Sequence, residues 1–146
     1  MKALPLLVVL ATAILAVGCT SSGLSYDDVV DLGRVEYFSE PAMVDGPTTS
    51  AINTDVTFTV STYGGGCLTF ERTDVEPDGD GFLVSPFDRD VNPGKDGACA
   101  DDLRFIPHAV TLTFATPGQQ TVHVAGRRVT SEVDEDIEVP VSITIE

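Results

Sequence analysis

The feature that most constrains this chain is a strict alternation of apolar and polar side chains. In residues 55–62, Val56, Phe58 and Val60 take every second position and Thr57, Thr59 and Ser61 fill the gaps. Successive side chains of an extended backbone point to opposite faces, so this pattern gives one apolar and one polar face, as in a half-buried strand. The same period recurs with Leu68 and Phe70 in residues 67–73, Phe82 and Val84 in 81–85, and Val110, Leu112 and Phe114 in 109–115. It returns with Val122 and Val124 in 121–125 and with Val139, Val141, Ile143 and Ile145 in 139–146. One more strand is predicted over residues 34–38. The single helical signal is Ser25 with Asp28 three residues on, which reads as a capped turn running to Leu32.

About seven short strands, separated by Gly, Pro and Asp turns over ~110 residues, predict an all-β domain, with two stacked sheets favoured over a small β-barrel. Pro117, Gly118, Gln119 and Gln120 have the chemistry of a four-residue turn and predict a hairpin between the strands at 109–115 and 121–125. Pro140 offers no N–H to a ladder and marks the last strand as an edge or a strand start. The run from Val110 to Gly126 resembles the late hairpin of bacterial immunoglobulin-like domains, where a Pro-Gly turn joins two alternating strands and a valine-rich strand follows. That resemblance implies an immunoglobulin-like sandwich over residues 33–146. Two departures set it apart from the antibody subclass: the chain has no Trp, and Cys67 and Cys99 fall at strand starts or in loops.

The N-terminus predicts an address outside the cytoplasm. Lys2 supplies a positive start, residues 3–17 are apolar apart from Pro5 and Thr12, and Gly18 and Cys19 close the run before the polar Thr20, Ser21 and Ser22. The stretch is shorter than the ~20 apolar residues of a spanning helix, so a cleaved leader is favoured over a permanent anchor. Leu15, Ala16, Val17, Gly18 and Cys19 resemble the lipobox of bacterial lipoproteins. The resemblance implies a signal peptide over residues 1–18, acylation of Cys19, and a tether over 19–32 that holds the domain to a membrane. Ala16 stands where that family usually has Leu, and cleavage at Ala11, Thr12 and Ala13 is the rival. By the family's sorting habit, Thr20 after the Cys implies the outer membrane in a diderm host.

Export places Cys67 and Cys99 in an oxidising compartment, where an even pair predicts a disulfide. A closed loop of that length removes unfolded-state entropy worth roughly 3.5–4 kcal/mol in the chain-entropy model.

Charge narrows the partners. With 8 Lys and Arg against 23 Asp and Glu the formal net charge is −15, which repels nucleic-acid phosphates. Asp74, Glu76, Asp78 and Asp80, with Gly79 at the bend, place oxygen ligands at alternate positions and suggest calcium. The competing reading is a solvated hairpin turn, because position twelve of an EF-hand count is Ser85 rather than Glu. A second acidic stretch, Asp88, Asp90, Asp96, Asp101 and Asp102, reads as a long solvated loop. His108 after Pro107 reads as a loop residue, His123 between two valines as solvent-facing, and no Gly-x-Ser-x-Gly is present. Tyr63 next to Gly64, Gly65 and Gly66 suggests an aromatic displayed on a flexible loop, or simply a strand connection. The expectation is a non-catalytic module with an envelope protein as partner, its exposed strand edges suited to strand addition.

Overall fold

The computed structural model describes residues 28–91, 99 and 102–146, and no helix occurs among the described residues. Ten strands form two sheets, confirming the all-β expectation with more strands than the seven predicted. They are β1 (Val29–Leu32), β2 (Arg34–Tyr37), β3 (Met43–Asp45), β4 (Thr49–Ser50), β5 (Asp55–Gly64), β6 (Leu68–Asp78), β7 (Gly81–Asp90), β8 (Arg104–Thr113), β9 (Gly118–Val129) and β10 (Asp134–Ile145). The smaller sheet has the order β3-β5-β8, and the other seven strands make a larger, curled sheet. The alternating apolar residues of both sheets meet in one core, with Val56, Phe58, Val60, Val110 and Leu112 facing Val35, Val84, Val122, Val124 and Ile143. Removing each such side chain from water is worth about 1.5–3 kcal/mol.

Three local expectations are corrected. The stretch at residues 28–32 is strand rather than helical turn: β-branched Val29 and Val30 pair with the outer half of β7, and an isolated turn has no such partner. The strands flanking Pro117 and Gly118 are not a hairpin, since β8 pairs with β5 in the smaller sheet while β9 pairs with β10 in the larger. The turn carries the chain across the core, where Phe114 packs edge-on against Phe82 with ring centroids 5.2 Å apart. The acidic stretch from Asp74 is mostly strand, with only Gly79 and Asp80 as its turn and Asp78 opposite Gly81. Gly79 at φ +60° supplies the left-handed conformation such a tight turn needs. Pro140 does lie at an edge, because beyond β9 the strand β10 pairs only with β4, at Thr144 and Ile145.

The larger sheet contains a fork. Strands β7 and β9 run parallel from Phe82 and Val122 to Val84 and Val124, then separate. The N-terminal segment fills the gap: β1 enters antiparallel to β7, and β2 leaves parallel to β9. Gly33 is the vertex, donating its N–H to Pro86 O at 2.9 Å and accepting from Arg127 N at 2.9 Å. A Cβ on Gly33 would overlap Thr62 Cγ2 and come within 2.9 Å of Asp88 Oδ2. Only glycine lets this backbone lie directly on the residues beneath.

Between β6 and β8 the sheets face each other without a hydrogen-bonded ladder. That seam is closed covalently by the Cys67–Cys99 disulfide, with Cα atoms 5.3 Å apart, as the cysteine count predicts. A side-chain hydrogen bond from Thr73 to His108 closes it further along.

Replacing Gly33 by Ala is expected to cost about 1–3 kcal/mol by overpacking the fork vertex, measured as a shift in the urea midpoint. Gly65→Ala, where a Cβ meets nothing within 4 Å, serves as the near-neutral control. Equal midpoints for the two variants would contradict this account of the fork.

Candidate functional site

Beneath the fork, four polar side chains from four strands meet in the interior. Asp88 of β7 and His108 of β8 are 4% and 0% exposed. Asp88 Oδ1 accepts from His108 Nε2 at 3.0 Å, and Asp88 Oδ2 accepts from the Thr62 hydroxyl at 2.7 Å. His108 Nδ1 lies 3.0 Å from Thr73 Oγ1. A carboxylate only accepts, so the ring must carry its proton on Nε2. Phe70 covers the imidazole with ring centroids 5.0 Å apart.

These positions overturn two sequence expectations. Asp88 is not in a solvated loop but in β7, whose inward positions continue Val84, Pro86, Asp88. His108 is not a loop residue, because β8 extends back to Arg104 and puts Pro107 outward and His108 inward. Asp96 and Asp101 lie outside the described residues, and Asp102 pairs with Arg104 at 2.8 Å. Both nitrogens of the His108 ring are engaged and the ring has no solvent contact, while its partner Asp88 borders a small cleft.

The acidic strand does not assemble the predicted ligand set. Asp74 turns to Arg72 at 3.1 Å, and Asp78 lies 3.5 Å from His123, which is also 3.4 Å from Glu138. Glu76 continues the outward row, and Asp80 sits in the turn. Among the described residues no group of three or more His, Cys, Asp or Glu is placed to hold a metal ion. His123 faces outward, as its alternation predicts. Cys19 lies outside the described residues.

At the mouth of the fork, a cleft of about 80 Å³ is lined by Asp31, Arg34, Leu68, Asp88, Asp90 and Arg127, among others. It is well below the ~300 Å³ of a small-molecule site. A broader, open depression of about 480 Å³ on the larger sheet spans Leu32, Ala125 and Ile137 between Asp136 and Glu138. Its lining offers aliphatic surface and two carboxylates.

The aromatic residues gather beside the fork. Tyr63 is buried rather than displayed, its hydroxyl donating to Pro41 O at 2.8 Å. Its ring contacts Tyr37 at 6.0 Å and Phe105 at 5.3 Å, and Tyr37 meets Phe38 at 4.7 Å. Phe38 and Phe105 are each 55% exposed, and Phe38 has φ +55°, a costly conformation for a bulky residue. It marks where the chain leaves the larger sheet and crosses to the smaller one.

The two sheets present unlike outer faces. The larger carries ion pairs: Arg127 with Asp31 and Asp134, Arg128 with Glu36 and Glu135, and Arg89 with Glu71 and Asp28. The smaller exposes Thr57, Pro107, Ala109 and Thr111, with Thr59 and Ser61 between them, and has its acids at the border in Asp45 and Asp55. Compared with known proteins, the chain matches no family model, no curated protein and no solved structure, so its chemistry is read from its own side chains.

His108→Ala strips Asp88 of a donor and is expected to cost about 3–5 kcal/mol in urea unfolding. Asp88→Val with His108→Val should recover part of that loss, because no buried charge remains. Strictly additive losses would show that the pair is not coupled. Burial, and then the charge of Glu40, raise the Tyr63 phenol above its ordinary value of 10. The neutral phenol is therefore favoured by folding: its contribution is complete below pH 10 and is lost as the pH rises through the higher folded value. A spectrophotometric titration should show one tyrosine ionising late, together with loss of β-sheet dichroism.

Proposed function

We propose that this chain is a non-catalytic envelope lipoprotein, held to a membrane through lipid on Cys19, whose two-sheet domain is a structural or protein-interaction module. The observation that carries the interaction reading is the outer face of the smaller sheet. In a chain of net charge −15, a row of Thr, Ser, Ala and Pro across β5 and β8 is the surface another protein can approach with the least charge to desolvate. Side chains on such a face are short, so contact costs little rotamer entropy. The buried, fully engaged His108 and the small fork cleft support the non-catalytic part. The leader and lipobox-like residues support the anchor.

The two faces separate in a crosslinking experiment on the full-length protein in its envelope. A photo-crosslinking residue at Ala109, on the smaller sheet, is expected to yield a discrete protein adduct, whereas the same residue at Glu138, on the larger sheet, is not. Ala109→Glu should abolish the adduct formed from Thr111 while leaving the melting temperature within a few degrees, since position 109 is exposed. Adducts of equal yield from both faces, or from neither, would remove the interaction reading.

A further inference from the structure

The exposed apolar side chains are distributed unequally along the strands. Val29 is opposite Asp90 at the outer end of β7, Val91 N bonds Cys67 O, and Phe105 is opposite Tyr63 near the end of β5. Phe38 N bonds Val129 O at the end of β9, and Val133 closes the turn into β10. Together with Leu103, these residues occupy one end of the domain, and all are exposed. Toward the opposite end, Ile52 beside Glu146 and Val75 opposite Val84 are exposed. Charge does not separate the two ends in the same way: Arg34, Arg89, Arg104, Arg127 and Arg128 lie toward the apolar end together with Asp28, Asp31, Glu36, Asp90, Asp102, Asp134 and Glu135, while Asp55, Asp78, Asp80 and Glu146 mark the other.

The described chain begins at Asp28, next to Val29, at the apolar end. From Cys19 to Asp28 the backbone reaches at most ~30 Å, while the twelve-residue strands β9 and β10 span ~40 Å. A lipid on Cys19 would therefore hold this end near the bilayer and the end bearing Ile52 and Glu146 away from it.

We propose that the end bearing Phe38, Val91, Leu103 and Phe105 lies on the surface of a neutral, zwitterionic bilayer, with these side chains entering the headgroup boundary. The proposal rests on the lipoprotein reading and adds an orientation to it. Isolated apolar side chains at an interface bind weakly alone, and a short lipid tether makes their contact effectively intramolecular. The arginines here are paired with Asp28, Asp31, Glu36, Asp134 and Glu135, so they neutralise local charge rather than offer a phosphate site. That favours a neutral over an anionic surface.

The absence of Trp makes the test direct. Full-length protein carrying Phe105→Trp or Ile52→Trp is expressed with its leader, purified in its processed form and reconstituted into phosphatidylcholine vesicles, with intact mass reporting acylation of Cys19. With brominated lipid, the Phe105→Trp emission is expected to shift to the blue and fall by about half or more, while Ile52→Trp keeps its emission. Acylated protein whose Phe105→Trp emission is unquenched would overturn the orientation and leave the anchor standing. Emission already blue-shifted without vesicles, or shifting with protein concentration, would assign this end to the chain itself or to a second copy, and also overturn the proposal. A Cys19 without acyl mass would overturn both the anchor and the orientation.

Discussion

Everything in the upper half of this domain depends on one buried carboxylate. Asp88 is withdrawn from water in a region bordered by two sheets, and an unpaired charge there would not be tolerated. Its stability in that place requires Thr62 from β5 and His108 from β8 as donors, and His108 requires Thr73 from β6 at its other nitrogen. Four strands are thus fixed in mutual register by hydrogen-bond geometry rather than by apolar packing, which tolerates sliding. The gain is in specificity more than in net stability, because the desolvation of the charge offsets much of what the bonds return. Gly33 completes the arrangement by bringing a fifth element down onto the pair without a side chain in the way.

The polar knot divides the interior into two zones. Toward the turn ends of the strands, Phe58, Phe82, Leu112, Phe114 and Ile145 pack as an ordinary hydrocarbon core. Toward the other end the filling is Thr62, Asp88, His108 and the ring of Tyr63, and the strands that surround them diverge. A diverging sheet leaves backbone groups unpaired, so the N-terminal segment is recruited to both branches of the fork. The segment from Val29 to Tyr37 is therefore built into the structure rather than appended to it.

How much of this was legible in the sequence depended on whether the information was local. Alternation of Val56, Phe58 and Val60 established strand β5 and its inward face, and the same reasoning located the cores of β7, β8, β9 and β10. The cysteine pair was legible because the sequence reading placed two thiols in an oxidising compartment, where a disulfide is their usual fate. What alternation cannot report is which sheet a strand joins. Val110, Leu112 and Phe114 have the same pattern whether β9 lies beside β8 or across the core from it, and a Pro-Gly turn serves either path. The buried pair was illegible for a related reason. Asp88 and His108 belong to the inward sets of β7 and β8, but a polar residue ends an apolar run and looks like the start of a loop. Only their distance of 20 positions in sequence, closed to 3.0 Å in space, reveals the partnership.

Charge then decides which surfaces are left for association. The exposed edge of β10 begins Asp134, Glu135, Asp136, continues with Glu138, and contains Pro140. Acids in a row and a missing N–H are what keep an edge from accepting another strand, so this edge is defended against strand addition. The ion pairs of the larger sheet gather at its fork end, and the open depression around Ala125 on that sheet is flanked by the carboxylates of Asp136 and Glu138. What remains is the smaller sheet's neutral face and the apolar end beside the fork, two surfaces roughly at right angles. A domain resting one on a bilayer would leave the other facing sideways, in the plane of that membrane, with the end bearing Ile52 and Glu146 projecting outward.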